Sequence, residues 1–337
     1  MSLNITLIDS RKEELALNHV ICLSIFSAAG LVDMIKGAYG FASVSCELFV
    51  SSFGDIYRVS TPQGRFVLRI YHATPHTRSN ILSEVQLLDH LHKHGLSVAY
   101  PIQRADGEWL LTLQAPEGTR YGVLYSYAEG KQISEKTRLD SVVEYGELVA
   151  HIHLAANTVP VALDRQPITF ESLVDDGLDR LAVLRSQYKD EIATMREVAD
   201  AIRPEIASLP TASPQYGMCH GDASASNVFI NADGHPTLFD FDSCGPSWRI
   251  YDVGSFVSNV AYRNMPAELS DAFVEGYERI RPLAPVERSA IPLIKILRKY
   301  LTISWMTDTV EPFGSHMLSD EFIAETAAQI KMIYSAL

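Results

Sequence analysis

The segment HGDASASNVFINADGHPTLFDFD, running from His220 to Asp242, places an aspartate, an asparagine and two more aspartates at Asp222, Asn227, Asp240 and Asp242. Phosphoryl transfer to a hydroxyl needs this inventory. An acid must orient the nucleophile and hard oxygen ligands must hold Mg²⁺ on a triphosphate, because positioning and charge neutralisation supply most of the acceleration. Asp222 is the candidate for orienting the hydroxyl and acting as general base late in transfer, while Asn227 and Asp240 are candidate metal ligands and Asp242 can touch a second metal. Singly, such residues are common turn caps and strand-end charges. Their combination favours chemistry, with five residues from Asp222 to Asn227, thirteen more to Asp240, and strand-like runs between. His220 reads as structural, fixing the loop through hydrogen bonds, since no partner ligands for a metal accompany it.

The elements that must position these side chains are legible around them. Val228–Ile230 and Thr237–Phe241 read as short strands joined by the turn-rich Asn231–Gly234, so a hairpin brings Asp222, Asn227 and Asp240 together. Upstream, residues 44–50, 56–60, 65–71, 109–113 and 123–127 are short, apolar and rich in β-branched or aromatic residues, with turn signals at Pro62 and Gly64. They predict a meandering antiparallel sheet. Ser79–His94 interrupts it with Ile81, Leu82, Val85, Leu88 and Leu91 near a 3.6 period and Gly95 as the stop. Beyond residue 127 helical patterns dominate, at 141–157, 171–206, 266–281 and 288–306, broken by Pro204, Pro210, Pro214 and Pro282. The expectation is an α+β, bilobal, protein-kinase-like fold. Residues 1–127 would form a small antiparallel β lobe with one helix and an N-terminal helical extension, which binds nucleotide, and residues 128–337 a larger, mainly α, catalytic and acceptor-binding lobe.

Composition bounds the partners. The 337 residues are 47% hydrophobic, and 41 acidic against 28 basic residues give a net charge of −13. Such a field repels nucleic-acid backbones and anionic headgroups, so neither nucleic acid nor membrane is expected as a partner. Cys22, Cys46, Cys219 and Cys244 form no CxxC pair, which predicts a reducing, cytoplasmic location. The run from His19 to Val32 has the apolar character of a signal-peptide core, but Glu13 and Glu14 dilute the positive charge of Arg11 and Lys12. No stretch reaches the ~18–20 apolar residues of a membrane span.

HGDASASN followed by FDFD resembles the aminoglycoside phosphotransferase and choline kinase superfamily, which includes type II homoserine kinases, over roughly residues 40–310. The resemblance implies an enzyme using ATP and Mg²⁺ to phosphorylate a hydroxyl of a small homoserine-, choline- or aminoglycoside-like acceptor. It makes Asp222 the catalytic aspartate, Asn227 and Asp240 the metal ligands, and Asp242 an acidic position some members share. Asp252 is similar to a family carboxylate that braces the catalytic loop from the next helix, although a helix N-cap is the plain alternative. In kinases of this shape a cation on the third strand holds the phosphates and pairs with a carboxylate on the nearby helix. Here Arg69 stands where lysine is usual, with Glu84 as its expected partner. The loop from Ser51 to Asp55, with Ser52 and Gly54, is where backbone amides would cradle phosphate. Tyr125 and Tyr127 lie where the family's lobe connector meets adenine.

Other signals have plain readings. His90 and His94 share a helix face without a third ligand; His151 and His153 point to different faces, and His153 resembles a packing histidine of the family. Trp305 and Met306 read as core. Asp175, Asp176 and Asp179 read as a solvated face, or as an acceptor pocket favouring an amine. Two other functions are open: a protein serine/threonine kinase and a nucleotide-binding pseudokinase. Only eleven residues separate Asp240 from Asp252, and Gly221 stands where protein kinases carry arginine, both against a protein acceptor. The intact Asp222, Asn227 and Asp240 stand against a pseudokinase.

Overall fold

The structure, a computed structural model, describes residues 22–310 and 314–337. Residues 11–14 and the start of the apolar run at His19 lie outside them. The rest of that run leads into helix α1 (Ala28–Tyr39), capped by the Ser27 hydroxyl, which accepts the Gly30 N–H at 3.1 Å. Its apolar character serves packing: Leu31 and Ile35 are buried against the sheet, each contributing about 2 kcal/mol.

Five strands follow, β1 (Ser45–Ser51), β2 (Gly54–Thr61), β3 (Gly64–Tyr71), β4 (Leu111–Ala115) and β5 (Gly118–Ser126), with helix α2 (Arg78–Lys93) after β3. They form one antiparallel sheet in the order β1-β2-β3-β5-β4. Alternation along each strand sorts side chains by face. Leu68 and Ile70 of β3 pack with Tyr57, Val59 and α1 on one face, which sends Val67, Arg69 and Tyr71 to the other. Arg120 and Asp55, both fully buried and 2.7 Å apart, tie β5 to β2.

The remainder is mainly helical: the short β6 (Lys131–Gln132), α3 (Leu139–Ala155), α4 (Asp176–Leu184), α5 (Lys189–Ala207), strands β7 (Tyr216–Cys219), β8 (Val228–Ile230), β9 (Pro236–Leu238) and β10 (Gly245–Trp248), then α6 (Ile250–Tyr262), α7 (Glu268–Ile280), α8 (Pro285–Asp308) and α9 (Asp320–Ser335). The expected α+β, kinase-like architecture is present. The expected hairpin forms, with Val228 opposite Leu238 and Phe229 opposite Thr237. The single helix expected over 171–206 is instead a π-helical turn at Glu171–Asp175 followed by α4 and α5, because Arg185 and Tyr188 leave helical geometry. Pro204 lies inside α5, near its end, and α8 begins three residues before the expected 288 because Pro285 fits a first helical turn. The four cysteines are free thiols, and among the described residues no helix is long and apolar enough to cross a membrane.

Candidate active site

The loop between β7 and β8 carries the first part of the site. Gly221 adopts φ +84°, and a Cβ there would lie 2.2 Å from the Ser243 carbonyl oxygen, so both backbone conformation and space demand glycine. The loop is held from behind by Asp252 on the first turn of α6. Its Oδ2 accepts the His220 N–H at 2.7 Å and its Oδ1 the Gly221 N–H at 2.9 Å. Asp252 caps no helix through its side chain. His153 on α3 approaches Asp252 Oδ2 through Nε2 at 2.8 Å and contacts the Tyr277 hydroxyl through Nδ1 at 2.8 Å. Burial alone would raise the Asp252 pKa, yet the hydrogen bonds it accepts from His153 and the His220 backbone help hold it below the usual carboxylate value, while burial lowers that of His153. In the neutral tautomer that burial favours, Nε2–H donates to Asp252 and Nδ1 accepts from the Tyr277 hydroxyl. The described residues hold one cluster of metal-ligating type, His153, Cys219 and Asp252, and all three are buried in this brace.

His220 locks the loop's other side: its Nε2–H donates to the Phe239 carbonyl at 3.0 Å and its Nδ1 accepts the Asp222 N–H at 3.1 Å. Asn227 turns its Nδ2 to Asp222, donating to the backbone oxygen at 2.9 Å and to Oδ2 at 2.8 Å. With the amide nitrogen committed, Asn227 Oδ1 is the atom left to face a cation.

Asp240 follows β9 with φ +66° and ψ +63°, a left-handed conformation uncommon outside glycine, though aspartate tolerates it better than most residues. Asp242 lies two residues on, in a 3₁₀ turn. Arg69 reaches across from β3, Nη1 bonding Asp240 Oδ1 and Nη2 donating to Asp242 Oδ2 at 2.8 Å. Burial pushes the Asp242 pKa up, but the charge of Arg69 wins and lowers it. Asp242 Oδ1 is buried without a hydrogen bond, His76 Nδ1 standing 3.5 Å away. An orphaned carboxylate oxygen beside Asp240, with Asn227 Oδ1 across the hairpin, is a donor set suited to a hard divalent cation.

Glu84 corrects one expectation. It does not pair with Arg69; its Oε1 accepts from the Tyr71 hydroxyl at 2.9 Å and the Tyr125 hydroxyl at 3.2 Å. The two hydroxyls lie 2.7 Å apart. The physical reason is reach, since the planar fork of arginine spans two carboxylates at once where an ammonium serves one point. Burial is the main force on Glu84, raising its pKa to about 7 despite the charge of Arg69.

An apolar cleft of about 280 Å³ opens beside Arg69 and Asp240, walled by Ile56, Val67, Tyr125, Tyr127, Phe229 and Phe239. Gly54 sits over Arg69: a Cβ there would lie 3.5 Å from its Nε. The Ser52 N–H is committed within the hairpin, donating to the Gly54 carbonyl at 3.1 Å. The Tyr127 ring lies under the Arg65 guanidinium at 4.3 Å, and that arginine also pairs with Glu129.

Two arginines of the site were missed by sequence reasoning. Arg298 of α8 places Nη2 2.5 Å from Asp222 Oδ1, and Arg165 donates to the backbone oxygens of Asn80, Cys244 and Asp242. The signal for Arg298 was its spacing to Leu301 and Trp305, three and seven residues on along one helix face. Trp305 itself is half-buried, lying under Arg298 and near Phe53, and is not the core residue expected. In the acidic cluster, Asp175 pairs with Arg203 and Asp179 with Arg196, both at the surface, as a solvated face requires.

A β sheet and a helical lobe meeting at this aspartate-rich loop define a kinase-like phosphotransferase. The chain belongs to the phosphotransferase enzyme family, whose model matches residues 49–289. An uncharacterized protein of Synechocystis sp. is 32% identical over 247 residues, covering 73% of this chain and 68% of that protein. A homoserine kinase of Agrobacterium fabrum is 31% identical over 235 residues, covering 66% of this chain and 68% of the relative. In fold, the chain is similar to an amicoumacin kinase solved with AMP-PNP, Ca²⁺ and Ami, with a TM-score of 0.76, 22% identity and 96% of each chain covered.

Proposed function

We propose that the protein moves the γ-phosphate of ATP to a hydroxyl of a small, amine-bearing acceptor of the homoserine, choline or aminoglycoside type. The observation that carries this reading is the Asn227 hydrogen bond to Asp222, made at 2.8 Å, together with a cleft lined by Arg69 and Asp240, the arginine also holding Asp242. In this reading the apolar walls take the adenine, with the lobe boundary near residue 127, and the triphosphate lies toward Arg69. Asp240 and Asn227 Oδ1, with Asp242 adjacent, would hold Mg²⁺, which when bound screens the triphosphate charge. Phosphate then competes with Asp240 and Asp242 for Arg69.

Asp222 orients the acceptor. Each carboxylate oxygen accepts more than one hydrogen bond, so the bonds to Asn227 and Arg298 leave room for the hydroxyl. As the acceptor oxygen bonds to the γ-phosphorus, the bond to the β,γ-bridging oxygen breaks with its electron pair leaving on ADP, and the hydroxyl proton passes to Asp222. A small acceptor is favoured over a protein because the segment after Asp242 is pinned: β10 pairs with β7, with Gly245 opposite Cys219 and Trp248 opposite Tyr216. The scattered cysteines, with no CxxC pair or dense framework, support a reducing, cytoplasmic location.

The test is incubation with Mg·ATP and a panel of hydroxylated amino acids, amino alcohols and amino sugars, followed by mass spectrometry. One acceptor should gain a phosphate. Labelling of protein substrates alone, or nucleotide binding with no transfer, would contradict the reading.

A further inference from the structure

The loop from Asp222 to Asn227 reads Asp-Ala-Ser-Ala-Ser-Asn and contributes no cation to a reaction centre crowded with carboxylates. Arg298 comes from α8, 76 residues further on, and places Nη2 2.5 Å from Asp222 Oδ1. It is mostly buried, with 12% of its side chain exposed, and its Nη1 makes longer contacts to the Gly221 carbonyl at 3.3 Å and the Tyr251 hydroxyl at 3.4 Å. Its guanidinium carbon lies 5.3 Å from the Trp305 ring centre, and Trp305 meets Phe53, at the tip of the β1–β2 turn, with ring centres 6.3 Å apart. The arginine is thus seated beside a ring that also meets the β1–β2 turn.

The other cations nearby are occupied. Arg69 is bound to Asp240 and Asp242, and Arg165 spends its donors on three backbone carbonyls. Arg298 carries five N–H donors, of which only the one to Asp222 is short.

We propose that Arg298 is a catalytic residue that neutralises charge on the transferred phosphoryl group from the acceptor side. The proposal rests on the phosphotransferase reading above and on the position of Asp222 within it. A hydroxyl oriented by Asp222 sits about 2.6–3.2 Å from that carboxylate, and in the attack geometry the phosphorus lies about 3–3.5 Å beyond the hydroxyl oxygen. A guanidinium bonded to the same carboxylate is therefore a near neighbour of the phosphoryl oxygens whatever the acceptor. As the bond to the bridging oxygen of ADP breaks and the bond to the acceptor oxygen forms, charge spreads over three equatorial oxygens, and an N–H of Arg298 bonds one of them.

The experiment compares Arg298→Lys and Arg298→Ala with the wild type, each with a melting curve, using the acceptor found for the wild type. Arg298→Ala should lose about 100-fold or more in kcat with KM for ATP nearly unchanged, as when a preorganised donor to a transition state is removed. Arg298→Lys should fall between, and free guanidinium at a non-denaturing concentration should restore part of the activity of Arg298→Ala. Wild-type kcat in Arg298→Ala overturns the proposal, as does a rise confined to KM for the acceptor, which would make Arg298 a binding residue. A loss of kcat with lowered melting temperature that neither lysine nor guanidinium relieves also overturns it, in favour of a structural role. If the wild type phosphorylates no acceptor, it is the phosphotransferase reading that fails.

Discussion

The Asp252 carboxylate accepts the Gly221 N–H at 2.9 Å, joining the start of α6 to a loop 31 residues earlier in the chain. The same carboxylate holds the His220 N–H and His153, so one buried group sets the backbone beneath Asp222. Asp252→Ala strips three donors of their acceptor at once, which should cost about 3 kcal/mol or more, since the remaining buried groups are left unpaired. Urea unfolding should show a lower midpoint, and turnover should fall in the protein that remains folded.

Gly221→Ala tests the loop without touching a functional side chain. A Cβ at φ +84° would meet the Ser243 carbonyl at 2.2 Å, so the loop must shift and carry Asp222 with it. A displacement of about 1 Å at a reacting group costs roughly 100-fold in rate. The expected result is a large fall in kcat with nucleotide affinity retained, read from steady-state kinetics and nucleotide titration.

Glu84 gives the protein a pH signature. Its pKa is raised to about 7 by burial, against 4.5 ordinarily, so the folded state binds this proton more tightly than the unfolded chain. Its contribution to stability is fully present below about pH 4.5 and is lost as pH rises through about 7, a change on the order of 3 kcal/mol. Glu84→Gln keeps an acceptor for Tyr71 and Tyr125 without the buried charge. Its melting temperature should exceed that of the wild type at pH 8, and the gap should close toward pH 5.

Asp240 and Asp222 should separate by what they bind. Asp240→Ala removes the exposed carboxylate of the cluster that Arg69 bridges, and should weaken nucleotide binding in the presence of Mg²⁺ far more than in its absence. Calorimetric titration with and without the cation checks this. Equal affinities for wild type and variant in Mg²⁺ would remove Asp240 from the metal site.

Much of the site was legible because its chemistry sits in one stretch of chain. Asp222, Asn227 and Asp240 flank a hairpin that alternation and turn residues announce, and the β8–β9 ladder brings them together. Arg69 was legible from its strand, but its partner was not. Arg69 pairing with Asp240 and Asp242, 171 and 173 residues away, depends on how sheet and helices meet, which no local pattern encodes. Arg298 was hidden for the same reason: a helix face marked by Leu301 and Trp305 says that something is covered, and only the packing of α8 says that it is Asp222. The break between α4 and α5 carries neither glycine nor proline, so helix propensity alone ran through it.

The central claim is that Asp222 orients the acceptor hydroxyl for attack on ATP. The most direct measurement is phosphate transfer to the identified acceptor by Asp222→Ala, with ATP affinity measured on the same preparation. Nearly complete loss of transfer with ATP binding largely kept is the predicted result. Near-normal transfer by Asp222→Ala would contradict the account.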